Sequence, residues 1–352
     1  MSQASFHPGA GVLPLEQPRS DARRGARWFA AVAVLLIASA AILAGWMPIG
    51  FSIVTVFLFA GPHNWFEFRY FLSRMPARWG PRRTYFLVGI GGAFGLTFAF
   101  IAYTWIGIAA GFSMATWETI SAIWNTTMVL WIASLLQIRG SERQGRDWSW
   151  CWMLAFIVAA VGWLAPLQFG IAMVYLHPVV AMVFLDREIA RRKPAWLRTY
   201  RALLMLVPAV LVMLWWRLGS APDLPGMDAL SVRITRHAGG GIGGIAGTGG
   251  FASTHFLVAA HTFLEMLHYS VWLIAMPLVA MGLRPWSVAA VPLAKKSLAF
   301  RRLALAIVLI GAALVVIFWL GFLADYPRTR DIYFTVAMLH VLAEFPFLIR
   351  SM

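Results

Sequence analysis

A single cysteine, Cys151, stands in a chain of 352 residues. One thiol excludes an internal disulfide and any cysteine-held metal cluster. Charge is also scarce: 12% of the residues are Asp, Glu, Lys or Arg, whereas 61% are hydrophobic. A soluble globular protein needs a charged surface, and this composition does not supply one. Acidic residues are fewest, 14 against 29 Lys and Arg, giving a net charge of +15. That excess fits either a nucleic-acid partner or a membrane topology signal, so the distribution of the basic residues decides between them.

The stretches without charge run to eighteen residues or more, the length of a membrane crossing. They predict an all-α, polytopic membrane helix bundle of about ten transmembrane helices. These lie near 28–47, 50–72, 85–108, 113–137, 149–166, 168–186, 202–218, 253–282, 302–323 and 332–349. Residues 1–26, with Arg19, Arg23 and Arg24, read as a basic cytoplasmic tail, because the apolar run that follows is too long for a signal-peptide core. Residues 27–352 read as one transmembrane domain. With the N-terminus inside, the clusters Arg19–Arg27, Arg69–Arg83, Arg139–Arg146, Arg187–Arg201, Arg284–Arg302 and Arg350 share one face. Of the 29 basic residues, the other face receives Arg217, Arg233, Arg236, Arg328 and Arg330. This positive-inside pattern predicts that both termini are cytoplasmic and that the chain sits in the inner (cytoplasmic) membrane. The partner it implies is the lipid bilayer, with no nucleic acid. The longest external connection, 219–251, contains "HAGGGIGGIAGTGG". Glycine so dense suits a linker or lid. It is no phosphate loop, since no strand precedes it and no Lys-Ser/Thr pair follows.

An ionisable group at the bilayer centre costs about 2.5 kcal/mol or more, so each one demands a reason. Setting aside those near the helix ends and Glu118 and His255 near the outer boundary, eight stand out: His63 and Glu67 on the second predicted helix, His177 on the sixth, His261, Glu265 and His268 on the eighth, and His340 and Glu344 on the tenth. Three of the seven glutamates follow a histidine by four residues, in "HNWFE", "HTFLE" and "HVLAE". That interval places both side chains on one helix face, roughly 6 Å apart along the axis. Imidazole with carboxylate suits iron, manganese or zinc, and open positions on such an iron bind dioxygen. The Glu-x-x-His interval from Glu265 to His268 is that of four-helix di-iron sites. All eight residues are therefore candidate ligands for one or two ions, the glutamates either ligating directly or orienting the imidazoles. Simpler roles compete for some of them. His177 alone suits a hydrogen-bonded structural histidine, and Glu67 can pair with Arg69 or Arg74. His255 points off the ligand face. Gly61-Pro62 is expected to kink or interrupt the second helix.

The stretch "GPHNWFE" resembles the Pro-His-Gly-x-x-Asp signature of the Brp/Blh-type membrane β-carotene 15,15'-dioxygenases. Pro62 and His63 match, Asn64 stands where the signature has glycine, and Glu67 replaces the aspartate. "MLHYSVWLIAMP", with His268, is similar to a later His-aromatic segment of that family. The resemblance implies a non-haem iron held by histidines, dioxygen as co-substrate and oxidative cleavage of a carotenoid to an aldehyde. The expectation is thus an intramembrane iron oxygenase acting on a lipophilic substrate. Two alternatives use the same residues: a haem-binding electron-transfer or haem-handling protein, and a proton- or metal-coupled transporter.

Overall fold

The structure, a computed structural model, describes residues 19–76, 80–142, 147–226, 228–241, 252–281 and 287–351. It is 89% helical, and no strand occurs among the described residues. All ten predicted segments are helical. They are α1 (Arg19–Trp46), α2 (Pro48–Arg74), α3 (Arg83–Ala110), α4 (Met114–Glu142), α5 (Trp150–Leu164) and α6 (Pro166–Arg192). The seventh segment divides at Met205 into α7 (Leu197–Leu204) and α8 (Leu206–Leu218). After α9 (Ala229–His237) come α10 (Thr254–Ser270), α11 (Leu298–Ala324) and α12 (Tyr326–Ser351). Among the described residues, nine spans have the length and apolar composition to cross a membrane, so the chain has the character of a multi-pass membrane protein. The tenth, α5, has 15 residues and reaches only about 22 Å.

Local chemistry sets several boundaries. Pro48 and Pro166 open α2 and α6, where a missing N–H is harmless. Ser253 caps α10 by accepting the Phe256 N–H at 3.1 Å. Gly111 ends α3 with φ of 63°, the left-handed conformation that glycine tolerates.

The structure adds detail to three expectations. Helix α1 begins at Arg19, inside the segment read as a tail, and residues 1–18 lie outside the described residues. The 219–251 connection contains a helix, α9, whose cap Asp228 accepts the Ser231 N–H at 2.6 Å. That bond holds the Asp228 carboxyl below its ordinary range. Most of the glycine run, 242–251, lies outside the described residues. Finally, Gly61-Pro62 does not interrupt α2, which is helical throughout. Packed neighbours let a membrane helix absorb a proline.

Helix α10 is the centre of the bundle, with thirteen of its seventeen residues buried. It packs against α1, α2, α6 and α8, while α12 packs against α3, α4, α6 and α11. Only Ala304, Val308 and Phe322 of α11 are buried. The rest of that helix presents leucine, isoleucine and valine outward, a surface suited to lipid. Gly92 on α3 lets the Trp131 indole of α4 lie against its backbone, where any side chain would collide with the ring. The indole N–H donates to the Val88 carbonyl at 2.8 Å.

Candidate metal centre

Just after His268, α10 widens into π-helical turns, Val271–Ala275 and Pro277–Met281. Such turns recur at functional sites because they offset side chains from the α-helical register. Here the widening follows the residue on which two groups of side chains meet. His63, Glu67, His268 and His340 bring ligand-type atoms within 4.8 Å of one another, and His177, His268 and Glu344 do the same. Four helices contribute: α2, α6, α10 and α12.

The four imidazoles form a closed ring. Centroid distances are 5.1 Å from His63 to His268, 4.4 Å from His268 to His177, 5.1 Å from His177 to His340, and 5.3 Å from His340 back to His63. His340 Nε2 lies 3.2 Å from His177 Nε2. As it stands this is a hydrogen bond, one ring donating and the other accepting; two nitrogens bound to one ion at about 2.1 Å stand roughly 3.0–3.4 Å apart, so the same spacing would also suit ligation. His63 is oriented for the same purpose. Its Nδ1–H donates to the Phe59 carbonyl at 3.0 Å, leaving Nε2 as a buried lone pair without a hydrogen-bond partner.

The carboxylates are equally short of partners. Glu67 and Glu344 are 0% and 1% exposed, and all four of their oxygens lack hydrogen-bond partners among the described residues. His177 Nδ1 approaches Glu344 Oε2 to 3.0 Å, but the contact is not aligned as a hydrogen bond. The Trp272 indole is directed at Glu344, also outside hydrogen-bond geometry. The two carboxylates are close enough to repel each other. Arg74, one cation offered to Glu67 by the sequence, pairs instead with Glu188 at 2.7 Å. Arg69 lies over the rings of Trp65 and Phe66. A buried polar atom left unpaired costs about 1–3 kcal/mol, and an unpaired charge more. A donor set of four imidazoles and two carboxylates with free lone pairs is one that a transition-metal ion would satisfy.

Six of the eight candidate residues meet here. His261 and Glu265 do not, although both line the cavity of about 150 Å³ that adjoins the cluster. Glu265 accepts the Tyr269 hydroxyl at 2.7 Å and has the buried Arg330 as its electrostatic partner. His261 packs edge-on to His237, with ring centroids 5.0 Å apart, and to Tyr175 at 5.8 Å. The sequence reading overlooked His237, which ends α9 and stacks on Phe334 at 4.2 Å. Its signal was the Asp-capped segment "DALSVRITRH", hidden beside the glycine run. His255 takes no part in either ligand group. Asn125 donates to the Pro166 carbonyl at 3.1 Å, and Thr126 accepts the Trp163 indole N–H at 2.9 Å. Both are helix-to-helix contacts.

Comparison with family models, with characterised proteins and with solved structures returns no match. The geometry is therefore the ground for any functional reading.

Proposed function

We propose that the chain is an intramembrane metalloenzyme, a non-haem iron oxygenase acting on a lipophilic substrate with dioxygen. The observation that carries this reading is the meeting of four imidazoles and two buried carboxylates whose oxygens have no hydrogen-bond partner among the described residues. Iron bound there would supply a redox-active centre with positions for dioxygen; manganese or zinc would meet the same donors. The chain's own residues hold and orient. The Phe59 carbonyl fixes the tautomer of His63. The four-residue interval sets Glu67 and Glu344 one turn beyond His63 and His340. Burial of the cluster keeps bulk water away from the reacting atoms.

A carotenoid is the substrate suggested by the resemblance at Pro62-His63, and its cleavage to an aldehyde is the corresponding reaction. A haem finds little support. The imidazole rings lie 4.4–6.2 Å apart, and the adjoining cavity of about 150 Å³ falls below the roughly 300 Å³ at which ligand pockets begin. The charge asymmetry places both termini on the cytoplasmic side of the inner membrane in this reading.

Metal analysis of protein purified in mild detergent, never exposed to chelator, tests the proposal. It should return near-stoichiometric iron; less than about half an equivalent of any transition metal rejects a tightly held ion. Co-expression with β-carotene synthesis tests the substrate: loss of yellow colour with retinal appearing supports it, while persistent pigment removes carotenoid cleavage.

A further inference from the structure

Two large apolar recesses enter the bundle, and they differ in what they reach. One, of about 420 Å³, lies between α1, α6, α7 and α10, with Trp28, Trp196 and Leu267 in its walls, and touches none of the six clustered residues. The other, of about 410 Å³, runs between α4, α5, α6 and α12 and has His177 and Glu344 in its lining. Apart from those two and the Cys151 thiol, its walls are hydrocarbon, aromatic or thioether side chains. Met128, Met173, His177 and Val341 line this groove and also the cavity over the cluster, so the two spaces adjoin.

The groove has a direction. Its lining runs from Met128 to Leu136 on α4, from Phe169 to Val183 on α6 and from Val341 to Leu348 on α12. Arg139 near the end of α4 donates to the Arg350 carbonyl of α12 at 3.3 Å, so those two helices finish side by side. Eight residues of helix measure about 12 Å, close to half of a hydrocarbon core about 30 Å thick. The rim is open on the side where a membrane would lie: Leu154, Leu176, Val179 and Val183 are 37–56% exposed. Met128 and Met173 stand at the junction with the cluster, and thioether side chains adapt to a chain moving past them.

We infer that this groove seats the extended apolar chain of the substrate, which enters from lipid beside α5 and presents one carbon of the chain next to His177 and Glu344. The inference rests on the metalloenzyme reading for its chemistry. The occupant follows from the walls: no polar group along the groove recognises a headgroup or ring substituent, and its polar residues besides Cys151 are His177 and Glu344 of the candidate metal centre. The substrate class is therefore a long, slender acyl or polyene chain, selected by length and width.

The test uses the full chain in lipid nanodiscs, with metal content measured first. A palmitic acid carrying a diazirine at its methyl end is photolysed, and the labelled peptides are mapped by mass spectrometry. Label should concentrate around Met128, Met173 and Leu176 and fall when unlabelled palmitate is in excess. Met173→Trp should lower it roughly tenfold, the equivalent of about 1.4 kcal/mol of binding. Val180→Trp, one turn beyond His177, should do the same with unchanged metal content, and it guards against a folding defect at Met173. Label spread evenly over outward faces such as α11, insensitive to competitor or unchanged in both variants, overturns the groove. If that occurs in metal-loaded protein, the groove alone falls. Competed label in protein that holds no metal supports the groove and overturns the metalloenzyme reading.

Discussion

Glu188 and Glu344 are each 1% exposed, yet the chain treats the two carboxylates in opposite ways. Glu188 accepts two hydrogen bonds from Arg74 at 2.7 Å, one from Arg192 at 3.1 Å and one from the Tyr70 hydroxyl at 2.9 Å, with Arg191 at 3.3 Å. Those guanidinium groups are 28–52% exposed and reach in from the surface. Glu344 and its neighbour Glu67 have imidazoles around them, and their oxygens accept no hydrogen bond among the described residues. The chain neutralises a buried carboxylate with its own arginines at one place, and at the other surrounds two carboxylates with lone pairs. The second arrangement is suited to a cation from outside the chain, and the first shows what a purely structural solution looks like in the same molecule.

The comparison breaks first at His268, which belongs to both ligand groups. His268→Ala should lower metal affinity by more than the roughly 100-fold typical of losing an outer hydrogen-bond partner, as read by metal analysis after dialysis; full occupancy in that variant removes the cluster as a metal centre. Next comes removal of the ion. Chelation should destabilise the wild type by about 4 kcal/mol if the ion had been a thousandfold above its Kd. The double variant Glu67→Gln/Glu344→Gln should lose the metal but melt above metal-free wild type, because two buried carboxyl groups without hydrogen-bond partners among the described residues are gone. A lower melting temperature than metal-free wild type would mean that these carboxylates act as Glu188 does. Third, Glu188→Gln should cost about 3 kcal/mol or less and leave metal content unchanged, measured by thermal unfolding alongside metal analysis. The smallest effect belongs to His261→Ala, which should leave metal content within error; a loss of metal would enlarge the centre to include the adjoining cavity.

Most of the fold was legible because lipid imposes long uncharged helices, and all ten segments from 28–47 to 332–349 are helical. The length of α5 was less so: the segment read as 149–166 is helical from Trp150 to Leu164 and stops before Ala165 and Pro166, where α6 begins. The site was legible as intervals. Repeated His-x3-Glu placed His63 with Glu67 and His340 with Glu344 on shared faces, which the structure keeps. The same logic drew in His261 and Glu265. Seven residues separate His261 from His268, about 10.5 Å of helix, too far for both to join one compact ligand group. Sequence supplied the face of α10; depth along it depended on where α2, α6 and α12 cross, which no local interval records. Arg330 was counted as an external loop charge, and only packing brings it to Glu265.

The brevity of α5 has a consequence for the surrounding membrane. Its fifteen residues fall about 8 Å short of an ordinary hydrocarbon core, and Trp163, bonded to Thr126, anchors that end at a fixed depth. A crossing by this helix would require the flanking lipids to thin or headgroups to sink toward the helix end. The protein therefore has a preferred bilayer thickness, and reconstitution across a series of acyl-chain lengths should find its stability greatest in the thinner membranes.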